Sequence, residues 1–91
     1  MFTIQDVRYG KYFHYQKRII LFETIEEAQF VLESFLNYSM QRAAQEDPFM
    51  IAEIQMTAPH IQICEVRDPA GIQGTFFKDL LEEVHNKRMN N

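Results

Sequence analysis

The chain has 91 residues, of which 46% are hydrophobic and 24% charged, and its formal net charge is −4. These values predict one small globular domain and argue against an intrinsically disordered chain. The only cysteine, Cys64, excludes an intramolecular disulfide and a cysteine-based metal site.

The first residues and the longest apolar run bear on the compartment. Residues 1–6 lack the basic-then-apolar pattern of a signal peptide. The run at residues 19–22 is far shorter than the roughly 20 residues that a membrane span needs. A disulfide-free fold of this size also suits a reducing compartment. We therefore expect a soluble cytoplasmic protein without a membrane partner.

The N-terminal residues are rich in aromatic and β-branched side chains and predict three strands. Residues 2–8 alternate weakly between apolar and polar side chains, which indicates a short strand. Residues 11–15 and 18–22 predict a hairpin closed near Gln16-Lys17, although the Asn-Gly signature of a tight turn is missing. Residues 19–22 are apolar on both faces, which favours a central strand.

A long amphipathic helix is predicted from Thr24 to Asp47. Thr24 followed by Glu27 forms a capping-box pattern, and Pro48 forces the chain out of the helical conformation. At 100° per residue the apolar side chains gather on one face, which we expect to be buried. That face contains Ile25, Ala28, Val31, Leu32, Phe35, Leu36, Ser39 and Ala43.

The C-terminal half predicts two more strands and a second helix. Residues 49–56 alternate in hydrophobicity, and with residues 60–66 they predict an antiparallel hairpin. Residues 67–71 predict a turn. Thr75 is expected to cap a helix that runs to about Arg88. Its apolar stripe contains Phe77, Leu80, Leu81 and Val84.

The resulting element order is β-β-β-α-β-β-α. It predicts an α+β fold with a mostly antiparallel sheet, one long helix and one shorter helix in a single domain. If both helices pack on one face of the sheet, the other face stays open for a partner or for a second copy of the chain.

Residues 8–18 combine basic and aromatic side chains, which is typical of proteins that bind single-stranded nucleic acid. The alternative is an ordinary hairpin whose aromatic side chains enter the core and whose basic side chains solubilise an edge strand. Residues 1–22 carry a net charge of +3, whereas residues 23–91 carry −7 and would repel nucleic acid. The candidate contacts are Arg8, Lys11, Tyr12, Tyr15, Lys17 and Arg18.

Phe30 is the apolar residue whose position on the long helix needs an explanation. Its helical angle places it among Glu26, Glu33, Ser34 and Asn37, on the polar face. Phe30, with Tyr38 at the edge of the apolar stripe, is therefore a candidate protein interface. The alternative is that another element covers Phe30 and makes it part of the core.

No catalytic constellation is visible, and we predict no catalytic residue, no cofactor and no metal site. The three histidines lie on different predicted elements. His60 and Cys64, four strand residues apart, would be separated by about 13 Å, too far for a nucleophile and its base. The adjacent carboxylates at 26–27 and 82–83 point about 100° apart and do not converge as an acid–base pair would.

The predicted function is accordingly a non-enzymatic protein-binding module. It would be a small regulator, inhibitor or subunit, of the kind that phages and mobile elements encode. Its partner would be another protein or a second copy of itself. Binding of nucleic acid through residues 8–18 is the alternative.

Overall fold

The structure is a computed structural model that describes residues 1–67 and 74–89. Within these ranges the chain forms six strands and three α-helices, so the predicted α+β class is confirmed. The strands are β1 (Phe2–Asp6), β2 (Lys11–Tyr12), β3 (His14–Tyr15), β4 (Arg18–Leu21), β5 (Ile61–Glu65) and β6 (Gly74–Phe76). The helices are α1 (Ile25–Glu46), α2 (Phe49–Thr57) and α3 (Phe77–Met89).

The strands form two small sheets that are joined through β1 and β4. The first sheet has the order β2-β1-β5 and is antiparallel throughout. The second has the order β3-β4-β6, in which β3 and β4 are antiparallel whereas β4 and β6 are parallel. Phe2 and Phe22 connect the sheets by two backbone hydrogen bonds of 2.8 Å. The prediction that residues 19–22 form a central strand agrees with the position of β4.

The hairpin closed at Gln16-Lys17 is confirmed, but the strand before it is divided. Its first part, β2, pairs with β1, and its second part, β3, pairs with β4. Between them the backbone N–H of Phe13 donates to the carbonyl of Ile4, and the carbonyl of Phe13 accepts from Ile20, both at 2.9 Å. Phe13 therefore carries the chain from one sheet to the other.

Helix α1 has the bounds that its sequence predicts. The hydroxyl of Thr24 accepts from the backbone N–H of Glu27 at 3.2 Å, which satisfies one of the free donors of the first turn. A complete capping box also has a hydrogen bond from the backbone N–H of Thr24 to the carboxylate of Glu27. Oε1 of Glu27 does not accept this bond, since it is buried without a hydrogen-bond partner among the described residues. The helix ends before Pro48, and the N–H of Asp47 donates to Ala43 at 2.9 Å.

The predicted strand at 49–56 is wrong, because these residues form helix α2. Pro48 begins the new helix as well as ending the old one, since its fixed φ and missing N–H suit a helix start. The carboxylate of Asp47 accepts from the N–H of Phe49 at 3.2 Å. Met, Ala, Glu and Gln also have high helix propensity. The predicted hairpin with 60–66 is therefore wrong too, and β5 pairs with β1 instead.

The predicted cap at Thr75 is also wrong. Thr75 pairs with Ile20 inside β6, and α3 begins two residues later, at Phe77. A Cβ on Gly74 would lie 2.8 Å from Cδ1 of Leu21, so the parallel pairing of β6 with β4 requires glycine at that position. Beyond Arg67, the predicted turn at 67–71 lies outside the described residues.

The core lies where α1 crosses the junction of the two sheets. Among the described residues its buried apolar side chains are Ile4, Leu21, Phe22, Ala28, Ala43 and Leu80. The buried hydroxyl of Thr3 donates to the carbonyl of Ile20 at 2.9 Å, so it is satisfied. The predicted buried face of α1 is wrong at Ile25 and Phe35, which are exposed. The described part of the chain leaves each of these two side chains incompletely covered.

Candidate protein-binding surface

The rings of Phe13 and Phe35 meet edge-to-face, with their centroids 5.0 Å apart. Three recesses of about 280, 420 and 420 Å³ surround this pair, and all three are lined by Phe35. Together they form one continuous surface, which we call the aromatic groove. Its apolar lining consists of Tyr12, Phe13, Ile20, Val31, Phe35, Leu36, Tyr38, Ala43, Met50, Ile54 and Ile61.

Helix geometry explains how these side chains meet. Phe35 and Tyr38 are three residues apart on α1, and Met50 and Ile54 are four residues apart on α2, so each pair lies on one side of its helix. The two-residue link at 47–48 folds α2 back beside α1. The sequence interpretation missed Met50 and Ile54 because it placed them on a strand. Their i, i+4 spacing behind Asp-Pro was the signal that could have found them.

The groove is open, although its lining is apolar. Phe35 is 45% exposed and Tyr38 is 59% exposed. Single exposed apolar residues are normal on protein surfaces, but contiguous apolar patches mark interaction sites. The exposed side chains of the aromatic groove are neighbours rather than isolated residues, since they line connected recesses.

Two ion pairs stand at the rim of the groove. The guanidinium of Arg42 lies 3.4 Å from the carboxylate of Glu46 and 5.9 Å from the centre of the Tyr38 ring. The negative charge of Glu46 raises the pKa of Arg42, and Tyr38 adds to this shift. At the other end of the groove, a hydrogen bond from Arg8 lowers the pKa of the Asp6 carboxyl. These groups stay charged at neutral pH and give the apolar surface a polar border.

The two residues predicted as a protein interface lie in different places. Tyr38 lines the aromatic groove. Phe30 is 68% exposed on another side of α1 and lines none of the recesses described in residues 1–67 and 74–89. The structure therefore leaves Phe30 uncovered but does not bring it together with Tyr38.

The candidate nucleic-acid contacts are only partly brought together. Lys11, Tyr12 and Lys17 line one shallow recess with His14. Arg8 is held by Asp6 at 3.1 Å, and Arg18 by Glu83 at 3.2 Å. Tyr15 lines a different recess, against α3. Two of the four basic side chains are thus already neutralised within the chain.

That other recess, which we call the α3 recess, lies between the β3–β4 hairpin and α3. Its volume is about 240 Å³, and it adjoins the aromatic groove at His14 and Ile20. Leu81, on its outer side, is 55% exposed. The lining residues are His14, Tyr15, Ile20, Phe77, Leu80, Leu81 and Val84.

The thiol of Cys64 is half-buried on β5 and donates to the side-chain carbonyl of Gln5 at 3.5 Å. In residues 1–67 and 74–89, no three His, Cys, Asp or Glu side chains come together as a metal ion would require. Of the helices in the same ranges, none has the length and hydrophobicity for a membrane crossing.

The chain exposes more surface than its size predicts. Its accessible surface is 6909 Å², whereas a monomer of this mass is expected to expose roughly 5,600 Å². Its radius of gyration is 14.5 Å, against about 12 Å for a compact domain of this length. The excess of roughly 1,300 Å² exceeds the about 800 Å² that each partner buries in a standard protein–protein interface.

No protein-family model, curated protein or solved structure matches this chain. What bears on its function is therefore its own geometry and chemistry.

Proposed function

We propose that this chain is a non-enzymatic protein-binding module whose aromatic groove receives an apolar segment of another protein. The observation that carries the proposal is the exposed ring of Phe35, which packs edge-to-face on the partly buried Phe13 and lines all three connected recesses. A groove of this kind suits a small regulator, inhibitor or subunit that acts by occupying a partner's surface.

The composition of the groove supports a protein partner. Protein interfaces are enriched in aromatic residues, methionine and arginine, with an apolar centre and a polar rim. Here Phe35 and Tyr38 provide the aromatic centre, Met50 adds an adaptable thioether side chain, and Arg42 stands at the rim. The groove lies between two helices, which is the arrangement that binds an amphipathic helix through its apolar side.

The thin core gives a second line of support. The described part of the chain fully buries only six apolar side chains, while large aromatic side chains remain at the surface. Covering the groove would remove part of that apolar surface from water and would stabilise the complex. The unpaired Cys64 suits a reducing compartment, and we place the interaction in the cytoplasm.

The proposal predicts that Phe35→Ser abolishes partner capture in an affinity pull-down from a lysate of the source organism. Phe35 offers a large rigid ring at the centre of the groove, and such aromatic anchors dominate interface energies. Phe49→Ser is the matched control, because Phe49 is 90% exposed and lines none of the described recesses. The melting temperatures of both variants are measured alongside, because Phe35→Ser also removes the ring that packs on Phe13 and each variant must stay folded at the assay temperature.

We expect the unmodified chain and Phe49→Ser to capture the same proteins, and Phe35→Ser to lose them. Equal capture by all three chains would contradict the proposal. The experiment is run with and without nuclease. Protein bands that vanish on nuclease treatment, together with recovered nucleic acid, would support the recess of Lys11, Tyr12 and Lys17 as the functional site instead.

A further inference from the structure

We propose that a second copy of this chain docks the outer face of its α1 onto the α3 recess, with Phe30 as the anchoring side chain. This contact is separate from the aromatic groove and goes beyond the proposed function. It accounts for two features that the groove leaves unexplained, the exposed ring of Phe30 and the exposed apolar edge of α3.

The acceptor surface is apolar at its centre. Leu81 and Val84 are three residues apart on α3 and point to one side of the helix, where both are exposed. Tyr15 and Ile20 of the hairpin form the opposite wall. Among the described residues, no apolar side chain fills the resulting recess of about 240 Å³.

The rim of the acceptor is basic. Lys78 precedes Leu81 by three residues and Arg88 follows it by seven, so both lie on the same side of α3. The acidic residues Asp79 and Glu82 point about 160° and 100° away from Leu81 around the helix. The negative charge of Glu83 is already balanced by Arg18, whose guanidinium lies 3.2 Å from its carboxylate.

The donor surface has the opposite charge. Phe30 is 68% exposed, with Glu26 four residues before it and Glu33 three residues after it. Residues 25–41 of α1 contain three acidic side chains and no basic one. This face presents one aromatic ring between carboxylates, which complements an apolar recess between basic side chains.

The occupant is a second copy because one chain carries both halves of the contact and does not bring them together within itself. Phe30 stays exposed, and it does not line the α3 recess as the described residues form it. We take the contact as head-to-tail, in which the donor of one copy meets the acceptor of the next and association extends from copy to copy. The excess surface of the chain is large enough for such a contact.

Sedimentation velocity over a series of concentrations tests the proposal. The average mass of the unmodified chain should rise with concentration and fall again as salt is added, because opposite charges face each other across the contact. Phe30→Ser blocks the donor, and Leu81→Glu blocks the acceptor. Each variant alone should weaken association at least ~10-fold, as expected when an aromatic anchor or its pocket is lost.

The decisive sample is the equimolar mixture of these two variants. Phe30→Ser keeps an intact acceptor and Leu81→Glu keeps an intact donor, so the mixture should form a dimer and nothing larger. Lys78→Glu combined with Arg88→Glu is a second acceptor variant that changes only exposed side chains, and it guards against misfolding of Leu81→Glu.

A monomeric unmodified chain at every concentration would overturn the proposal. So would a mixture that associates no better than its components, because Phe30 and the α3 recess would then not be the two sides of one contact. Neither result bears on the aromatic groove, because all these variants retain Phe35.

Discussion

Gln16 and Lys17 adopt left-handed backbone conformations at the tip of the β3–β4 hairpin, with φ values of 50° and 67°. Positive φ at both central residues is the geometry of the type I′ turn, whose twist matches that of the two strands. Neither residue is glycine or asparagine, so the usual signature of this turn is missing. The position of the turn was predicted from the two flanking strand segments instead. The hydrogen bonds of the strands hold these residues in a conformation that costs about 1 kcal/mol or more for each.

Lys17→Gly is therefore expected to stabilise the protein by about 0.5–1 kcal/mol, because glycine adopts positive φ without a steric cost. Lys17→Ala removes the same amino group but keeps a Cβ, so it should give no comparable gain. Urea unfolding followed by circular dichroism measures both changes. Equal stabilities for the two variants would show that the backbone at Lys17 is not strained.

Phe35 shows the limit of a helical wheel. Its angle places it beside Leu32 and Leu36, and on that ground it was predicted to be buried. A wheel gives the direction of a side chain, but it does not reveal whether another element extends far enough to cover it. In the structure Phe35 rests on Phe13 and remains 45% exposed, and for that reason it becomes the centre of the candidate site.

At the scale of elements, the predictions that held rest on local physics. The bounds of α1 follow from the Thr24 cap, the apolar period and Pro48, all of which are local in sequence. The position of the hairpin follows from two short apolar runs separated by two residues. These features would be present in any fold that contained the same segments.

The predictions that failed depended on a choice between the helical and the strand period of hydrophobicity, or on strand pairing between residues far apart in sequence. Residues 49–56 alternate like a strand, but Met50 and Ile54 also satisfy the helical i, i+4 spacing, and helix propensity with the Asp47-Pro48 start decides for α2. Strand β6 has three residues and is defined by parallel pairing to β4. No local pattern in so short a segment could have revealed it.

The helical state of α2 can be tested at Ala52, which is exposed. Ala52→Gly should cost about 1 kcal/mol, and Ala52→Thr about half as much, because both have lower helix propensity than alanine. On a strand, threonine would instead be favoured over alanine. Chemical denaturation measures both variants, and a threonine variant more stable than the unmodified chain would indicate that these residues form a strand.

At the scale of the whole molecule, the notable feature is how much surface the chain exposes for its length. Its surface and radius of gyration both exceed the values expected for a compact monomer of this length. The sequence predicted an open face, but it placed that face on the sheet, opposite the two helices. The structure places it between α1, α2 and the residues that link the two sheets.

Charge is also distributed unevenly over the molecule. Lys17 and Arg18 lie on the β3–β4 hairpin, which packs beside α3, whereas the outer face of α1 is acidic. The net charge of −4 therefore does not describe the local charge of either surface. This polarity supports oriented association with a partner or with another copy, and salt should weaken both.

The central claim is that the aromatic groove binds protein, and site-specific photo-crosslinking tests it most directly. Benzoylphenylalanine is placed at Tyr38, inside the groove, or at Gln29, which lies about 180° away around α1. After irradiation in a lysate of the source organism, position 38 should give a discrete product with a protein other than this chain, and position 29 should not. The same product from both positions, or from neither, would contradict the account.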